Sequence, residues 1–365
     1  MARGKNHGLM IAGDGVSAAL AALAVAQRRP DLPLLLVGEA ERFGGDRLLF
    51  VLDGQLDEEE RAFLDPLTAA RWDGFYVSFP GRSRKLKLAC RLVSPDLIDA
   101  AVRRDVPEER LLTGRKIVAV RDTSLLLDGG DSLAGDGALD ARAWAQQTTL
   151  DLGWRHVVAR TYDFAAPHRV DLPVLVDSTA AGGPACAHFT LMPLSPTRLL
   201  VEHVRYAASP EPAGASGVAG IEPYLRLRGW SGGEIVDETE AALPIALGGD
   251  FAAYYRIGGA RVAKIGPRGG FFFPTLGSPL PDAVRTALIL AHQRDLTGPA
   301  LHETFEQEAL ALWKRREPQR GFDRRLLAGQ GCTALESLFG LEPALIDRYF
   351  GERLGMFDRR KLAAL

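Results

Sequence analysis

Three groups of residues in this 365-residue chain have types and spacings that could do chemistry. The first is the turn Gly13-Asp14-Gly15-Val16-Ser17-Ala18, which reads G-x-G-x-x-A. In such a turn the first glycine permits the tight bend and the second lets the backbone approach a pyrophosphate. Ala18, small like the usual third glycine, lets helix and strand pack closely. The following helix offers free N–H groups and a positive dipole end to the phosphates. Asp14 sits awkwardly there, because a carboxylate repels a phosphate. Glu39, at the end of Val37-Gly38-Glu39, is the acid that could hold a ribose hydroxyl. It falls one place later than the simplest alignment, and a plain surface acid is the equal alternative.

The second group is the late Gly-rich segment from Gly266 to Gly277, just before a helix near Asp282. Gly266, Arg268, Gly270, Pro274 and Gly277 are its candidate cofactor residues. In two-part flavin folds a late loop of this kind closes over the isoalloxazine and pyrophosphate. The third group is made of acids in apolar runs. Glu202 lies in Leu199-Leu200-Val201-Glu202-His203-Val204, sharing a strand face with Leu200, while His203 points to the other face. Glu238 and Glu240 share a strand face ahead of Ala241-Ala242-Leu243. A carboxyl group among apolar side chains holds its proton more tightly and can act as a general acid. Acids facing water on a strand are the competing reading for all three.

The elements that must position these residues are legible in outline. Leu9–Ala12 and Leu34–Val37 are short apolar runs of buried-strand length, and Val16–Arg28 between them is an Ala- and Leu-rich helix. Together they form a βαβ unit with parallel strands. Further on, the pattern predicts a helix over Asp57–Ala70, strands within Phe75–Leu92, and a helix after Ser94 with Pro95 at its first position. A hairpin is expected at Ile117–Leu127. Strands follow at Pro173–Val176, Ala187–Met192, Leu199–His203 and Glu234–Leu243, then helices at Asp282–Arg294, Pro299–Arg316, Arg324–Leu338 and Pro343–Leu354. The expected fold class is α/β: a Rossmann-like FAD/NAD(P)-binding flavoprotein fold with a β-rich substrate region and a helical C-terminal part. Residues 1–150 would be the first part of the dinucleotide-binding domain with inserted strands, and 151–255 the β-rich substrate region. The chain would return to the cofactor domain over 256–298 and end in a helical region over 299–365.

Bulk properties exclude several classes. Forty-four basic against 46 acidic residues leave a net charge of −2, which is no footprint for nucleic acid. Cys90, Cys186 and Cys332 are far apart and odd in number, which predicts no disulfide framework and a reducing, cytoplasmic setting. No apolar run has the ~18 residues that read as a membrane span. The basic start resembles a signal peptide only until Gly13-Asp14-Gly15 interrupts it. The seven histidines show no metal-ligand spacing, and no serine sits in a G-x-S-x-G setting, so neither a metal nor a serine hydrolase is expected.

The order of segments resembles the bacterial lycopene beta-cyclase family almost from end to end. The resemblance is carried by Ile11–Ser17, Gly44-Gly45, Phe79-Pro80, Val176-Asp177-Ser178-Thr179 and Met192–Tyr206. It continues through Leu243-Pro244-Ile245, Gly266–Gly277, Leu280-Pro281 and Leu345–Leu354. It implies an enzyme of the intramolecular lyase or isomerase type that binds FAD reduced by NAD(P)H and acts on lycopene or a related carotenoid without net redox change. A general acid protonates a terminal double bond, the neighbouring alkene attacks the cation, and proton loss leaves a β-ionone ring. The family pattern carries the acid to Glu202, with Glu238 or Glu240 in support. After Glu202 the family has Asp-Thr where this chain has His203-Val204, and after Gly44-Gly45 a His-Thr-Trp type stretch is replaced by Asp46-Arg47-Leu48-Leu49. A flavin-dependent monooxygenase or dehydrogenase on an apolar substrate, and an inactive member of the fold, are the alternatives. A substrate that lives in the bilayer implies a protein at the inner membrane surface. The segment Leu335–Leu362, with apolar residues interleaved by Arg348, Arg353, Arg359, Arg360 and Lys361, reads equally as an interfacial helix and as a core-packing one.

Overall fold

The computed structural model describes residues 6–144, 147–180, 186–211, 216–271, 275 and 278–363, with nothing stated of the side chains of 216–219, 330 and 331. Among these residues the strands form sheets of five, three, seven and three strands. The five-stranded sheet is the cofactor sheet of the sequence reading. Leu9–Ala12 pairs in parallel with Leu34–Val37 on one side and Gly137–Asp140 on the other. Leu111–Leu112 and Ala263–Lys264 extend the two edges, also in parallel. Both faces of the central strands are covered, so Leu9–Ala12 and Leu34–Val37 are buried at every position and show no alternation. The crossover helix Val16–Arg28 lies between them in sequence. Its residues from Ser17 to Val25 are all buried, packed beside the helices Leu280–His292 and Pro95–Asp105. An all-round apolar helix of this kind belongs in a domain interior.

The seven-stranded sheet is built mostly from the middle of the chain. Its order runs Glu234–Gly249, Leu150–Asp163, Arg198–Ala207, Ala187–Pro193, Val174–Asp177, Phe75–Phe79 and Arg82–Leu86. The early hairpin Phe75–Leu86 therefore joins the substrate-side sheet, through a parallel pairing of Phe75–Phe79 with Val174–Asp177. Period-two alternation divides the sheet's residues between two cores. On one face Val157, Ala159, Leu200 and Val204 pack against Phe322, Leu326, Leu335 and Phe339 of the C-terminal helices. On the other, Val158, Tyr162, Leu199 and Val201 pack against Ile221, Tyr224 and Leu225 of the helix Ser216–Leu227.

The structure departs from the sequence reading in particular places. The helix after Asp57 stops at Leu64, and Thr68–Trp72 is instead a strand paired with Cys90–Val93. The strand ahead of Gly249 has 16 residues rather than ten, and Leu150–Asp163 is a 14-residue strand where only a β-rich tendency is legible. The expected helix Arg324–Leu338 is broken: Glu317–Arg325 and Gly331–Phe339 flank Gly329, whose φ is +87°. In the C-terminal segment Leu338, Phe339, Leu345, Ile346, Tyr349 and Phe350 are all buried in the core, which decides between its two readings for those residues. Met356 and Phe357 remain exposed. Among the described residues no helix is long and apolar enough to cross a membrane.

The expectation that the cysteines lie too far apart is overturned. Cys186, just before the strand Ala187–Pro193, and Cys332, in the helix Gly331–Phe339, bring their Sγ atoms within 3.4 Å. The tail is fastened to the cofactor domain by buried Arg316. Its Nη1 and Nη2 each donate to Asp282 at 2.7 Å, and its guanidinium also donates to Glu352. Satisfying the buried charge from both sides is the condition under which such a group is tolerated.

Candidate functional site

The early turn has the form the sequence reading requires. Gly13 adopts φ +136°, and a Cβ there would lie 2.7 Å from the carbonyl oxygen of Ala141, so only glycine fits. Gly15 has ordinary extended angles, φ −72° and ψ 178°, and a Cβ on it would meet no atom within 4 Å. The open space in front of Gly15 is what a bound group would fill. The helix that starts at Val16 has no side chain capping its N-terminus and no acid in its first turn. Its first N–H groups are therefore left for an anion.

Asp14 does not confront that anion. Its Oδ2 accepts from the backbone N–H groups of Glu39 and Ala40, at 2.9 and 2.8 Å. The carboxylate is thus used to fold back the chain after the second strand, and Glu39 itself is exposed. The late loop comes to the same place: a Cβ on Gly266 would lie 2.7 Å from Oγ of Ser17, on the first turn of the helix. Arg268, two residues on, has a buried Nε with no hydrogen-bond partner among the described residues, 3.8 Å from Oδ2 of buried Asp140. Arg142 holds Asp140 in a bidentate pair, with both contacts at 2.9 Å. A Cβ on Gly270 would run into the Phe251 ring, so Gly270 is a packing glycine. Pro274 and Gly277 lie outside the described residues. The two Gly-rich segments, about 250 residues apart in sequence, thus form one cradle fit for a dinucleotide.

The Gly44-Gly45 segment runs alongside, with the Gly44 N–H donating to the Asp14 carbonyl at 2.8 Å. It leads into Arg47–Phe50, which forms one wall of a pocket. Ser278 and Pro279, beyond the late loop, close it from the cofactor side, and the seven-stranded sheet supplies its floor. The floor residues follow from register. Glu202 stands opposite Thr190 on one neighbouring strand and Ala159 on the other, so Thr190, His188, Met192, Leu200 and Arg155 all share its face. All of these line the pocket.

Glu202 is the one carboxyl group in that lining. It is not alone among apolar side chains, as the sequence suggests. Arg47 Nη2 approaches its Oε1 at 3.6 Å, and Arg155 Nη2 its Oε2 at 3.9 Å. Burial pushes the Arg47 guanidinium down from its usual value, with Glu202 opposing and Arg155 adding to the effect. His188 is fully buried, and neither ring nitrogen has a hydrogen-bond partner among the described residues. Burial, together with the charges of Arg155 and His203, holds its imidazole well below the ordinary histidine range, so it is neutral at pH 7.

Glu238 and Glu240 do not join this group. They stand opposite Arg160 and Val158, on the far face of the sheet from Glu202. Glu238 is exposed and paired with Arg160. Their spacing does put them on one face, but it is the wrong face for the pocket. His203 likewise points away, stacked on Phe189 with centroids 4.8 Å apart.

Arg47, Arg155 and His188 escaped the sequence reading. The signal for His188 and Arg155 was present: once Ala187–Pro193 and Leu150–Asp163 are paired with Arg198–Ala207, counting in twos puts both beside Glu202. The register that permits this counting was not available from the sequence. Among the described residues no cluster of three His, Cys, Asp or Glu side chains is placed to hold a metal ion.

Comparison with known proteins agrees with this architecture. The family described as "Lycopene cyclase protein" matches residues 8–364. The lycopene beta-cyclase of Paracoccus sp. (strain N81106 / MBIC 01143) is 30% identical over 371 aligned positions, covering 98% of this chain and 93% of that protein. The lycopene beta-cyclase of Pseudescherichia vulneris is 28% identical, covering 97% and 92%. Among solved structures, a geranylgeranyl bacteriochlorophyll reductase-like protein from Thermoplasma acidophilum superposes with a TM-score of 0.59 at 12% identity, over 99% of this chain and 96% of that one. A putative FAD-containing monooxygenase from Photorhabdus luminescens gives 0.56 at 12% identity, over 88% and 97%. These structural likenesses establish an α/β, Rossmann-like flavoprotein fold.

Proposed function

This chain belongs to the lycopene cyclase family, and we propose that it closes the open ends of lycopene into β-ionone rings, with Glu202 as the proton donor. The single observation that carries the catalytic assignment is that the family's acid position lies in the pocket wall as its one carboxyl group. Protonating an unactivated double bond calls for a strong acid. As the proton moves to carbon, negative charge develops on the Glu202 carboxylate, between the guanidiniums of Arg47 and Arg155. Donors already in place where charge develops lower that barrier without reorganisation. The apolar walls of Leu48, Leu49, Phe50, Leu92, Leu175, Met192, Leu200 and Leu243 suit a hydrocarbon end and keep water from trapping the cation.

The cofactor of this reading is FAD, reduced by NAD(P)H. Gly13, Gly15, Val16, Ser17 and Ala18 would receive the pyrophosphate, with Gly266 closing on Ser17, Arg268 supplying positive charge and Glu39 at the ribose end. When bound and reduced, the flavin supplies an electron-rich, anionic group that steadies positive charge in the neighbouring pocket. The substrate is a bilayer hydrocarbon, so the protein works at the membrane surface on the cytoplasmic side. Exposed Met356 and Phe357, next to Arg359, Arg360 and Lys361, are the part of the tail left free for that contact.

The test is expression in lycopene-accumulating cells followed by pigment analysis. The wild-type chain should convert lycopene to β-carotene or its half-cyclised precursor, and Glu202→Gln should abolish conversion while keeping the flavin. Cells that stay red with the wild-type chain would sink the cyclase reading. Unchanged turnover by Glu202→Gln would remove Glu202 from the role.

A further inference from the structure

Ring closure is an isomerisation: one proton is added to a carbon and another is taken from a different carbon. Glu202 accounts for the first. The reaction also needs a base, and the pocket contains a group built for that. We propose that His188 is the base that removes the proton from the ring carbon after closure, and that it returns this proton to Glu202. The proposal rests on the cyclase reading above.

Several observations converge on His188. It is completely buried, and it lines the same pocket as Glu202. Both of its ring nitrogens lack hydrogen-bond partners among the described residues. A buried polar atom left without a partner is destabilising, so an imidazole in this state calls for an explanation. A hydrocarbon substrate offers nothing to hydrogen-bond. A base acting on a C–H bond therefore needs a lone pair with no competing donor, as His188 has among the described residues. Its position is also right in register: His188 is opposite Val204, one cross-strand pair along the same face from Thr190 opposite Glu202.

The other polar groups near the pocket fit the role less well. Thr190 spends its hydroxyl on the carbonyl of Leu175, at 3.0 Å. Burial pushes the Tyr206 phenol far above its usual range, and its neutral hydroxyl is a feeble base. Arg47 and Arg155 carry no lone pair for a proton. The surroundings of His188 also explain the proton's return. Burial first, and then the charge of Arg155 on the same sheet face, disfavours an imidazolium at this position. A protonated His188 is therefore a strong acid beside a carboxylate that has just lost its proton.

The bookkeeping closes without a further reactant. Glu202 O–H breaks and a C–H bond forms at the terminal alkene carbon. The neighbouring alkene's electron pair makes the ring C–C bond. His188 takes the proton from the carbon that has just bonded, and the C–H electron pair becomes the ring double bond. The proton passes from imidazolium to the Glu202 carboxylate. Both groups end as they began.

The base decides which carbon loses its proton, so the ring isomer made is the readout. Lycopene in detergent micelles is given to the FAD-loaded, reduced wild type and to His188→Phe and His188→Gln, and ring products are separated chromatographically. The Phe variant keeps a flat apolar wall, and the Gln variant keeps a polar side chain if Phe disturbs folding. For the variants we expect β-ring formation to fall about 100-fold, in the range typical of a lost acid–base group. The residual product should include rings with the double bond shifted along the ring or out to the methyl group, because the cation must shed a proton elsewhere. Variants that make only β rings, at the wild-type rate or below it, would overturn the assignment of His188. A wild-type protein that makes no ring at all would instead overturn the cyclase reading on which it rests.

Discussion

Replacing Asp323 by Asn should make the protein more stable at alkaline pH than at acid pH relative to wild type. Asp323 lies in the helix Glu317–Arg325, fully buried, and accepts from Thr275 through the backbone N–H at 3.1 Å and Oγ1 at 2.7 Å. Thr275 Oγ1 is also 2.8 Å from the Tyr349 hydroxyl. Burial pushes the Asp323 carboxyl up from 3.8 to about 7, against the opposing pull of the Thr275 hydrogen bonds. A carboxyl raised in the folded state contributes its full stability below the unfolded value of 3.8, and that contribution is lost as pH rises to about 7. Each unit in that window costs about 1.4 kcal/mol, so ionising the folded group by pH 8 costs about 4 kcal/mol in all. Between pH 5 and pH 8 the loss is about 3 kcal/mol. Asn imitates the protonated acid: its amide can donate to Thr275 Oγ1 while its oxygen accepts the Thr275 N–H. Thr275 Oγ1 keeps a second lone pair and its own O–H for the Tyr349 hydroxyl, and any residual penalty is the same at every pH. For a chain of this length, 3 kcal/mol corresponds to about 4 °C in melting temperature. Thermal melts of the two proteins should therefore diverge by about 4 °C from pH 5 to pH 8, with the variant the higher. Melting curves that run parallel across this range would refute the reasoning.

Three further perturbations test other parts of the structure. Gly13→Ala, forced into φ +136° against the Ala141 carbonyl, should lower the melting temperature by several degrees, whereas Gly15→Ala should leave it unchanged. Gly15→Ala should nevertheless purify with less flavin, read from the absorbance spectrum, because the space in front of Gly15 is meant for the cofactor; full flavin content would contradict the proposed cradle. Treatment with a thiol oxidant such as diamide should lower the free-thiol count from three to one by joining Cys186 to Cys332. The contact with Cys186 leaves Cys332 the easier of the two to ionise, and so the attacking thiol. The bond spans 146 positions and should raise the melting temperature, its entropic limit being about 5 kcal/mol. Three titratable thiols after oxidation would mean that the pair does not react.

The sequence by itself determined the local pieces. Gly13, Gly15 and Ala18 sit in a strand–turn–helix whose meaning depends on backbone sterics and helix ends, which act over a few residues. For the same reason Ser94-Pro95 announces a helix start, and Leu9–Ala12 and Leu34–Val37 announce buried parallel strands. The family pattern also brought Glu202 to the pocket. Tertiary structure decided everything that depends on register or on distant contact. Whether Glu202 and Glu238 share a site is settled by strand parity across a seven-stranded sheet, and parity puts Glu238 on the far face. Arg47, Arg155 and His188 come to Glu202 from three separate parts of the chain. Cys186 meets Cys332, and Gly266 meets Ser17, because packing ignores sequence separation. A single sequence carries no direct record of such pairings, since each is fixed by the burial of whole faces and not by the residues that happen to meet.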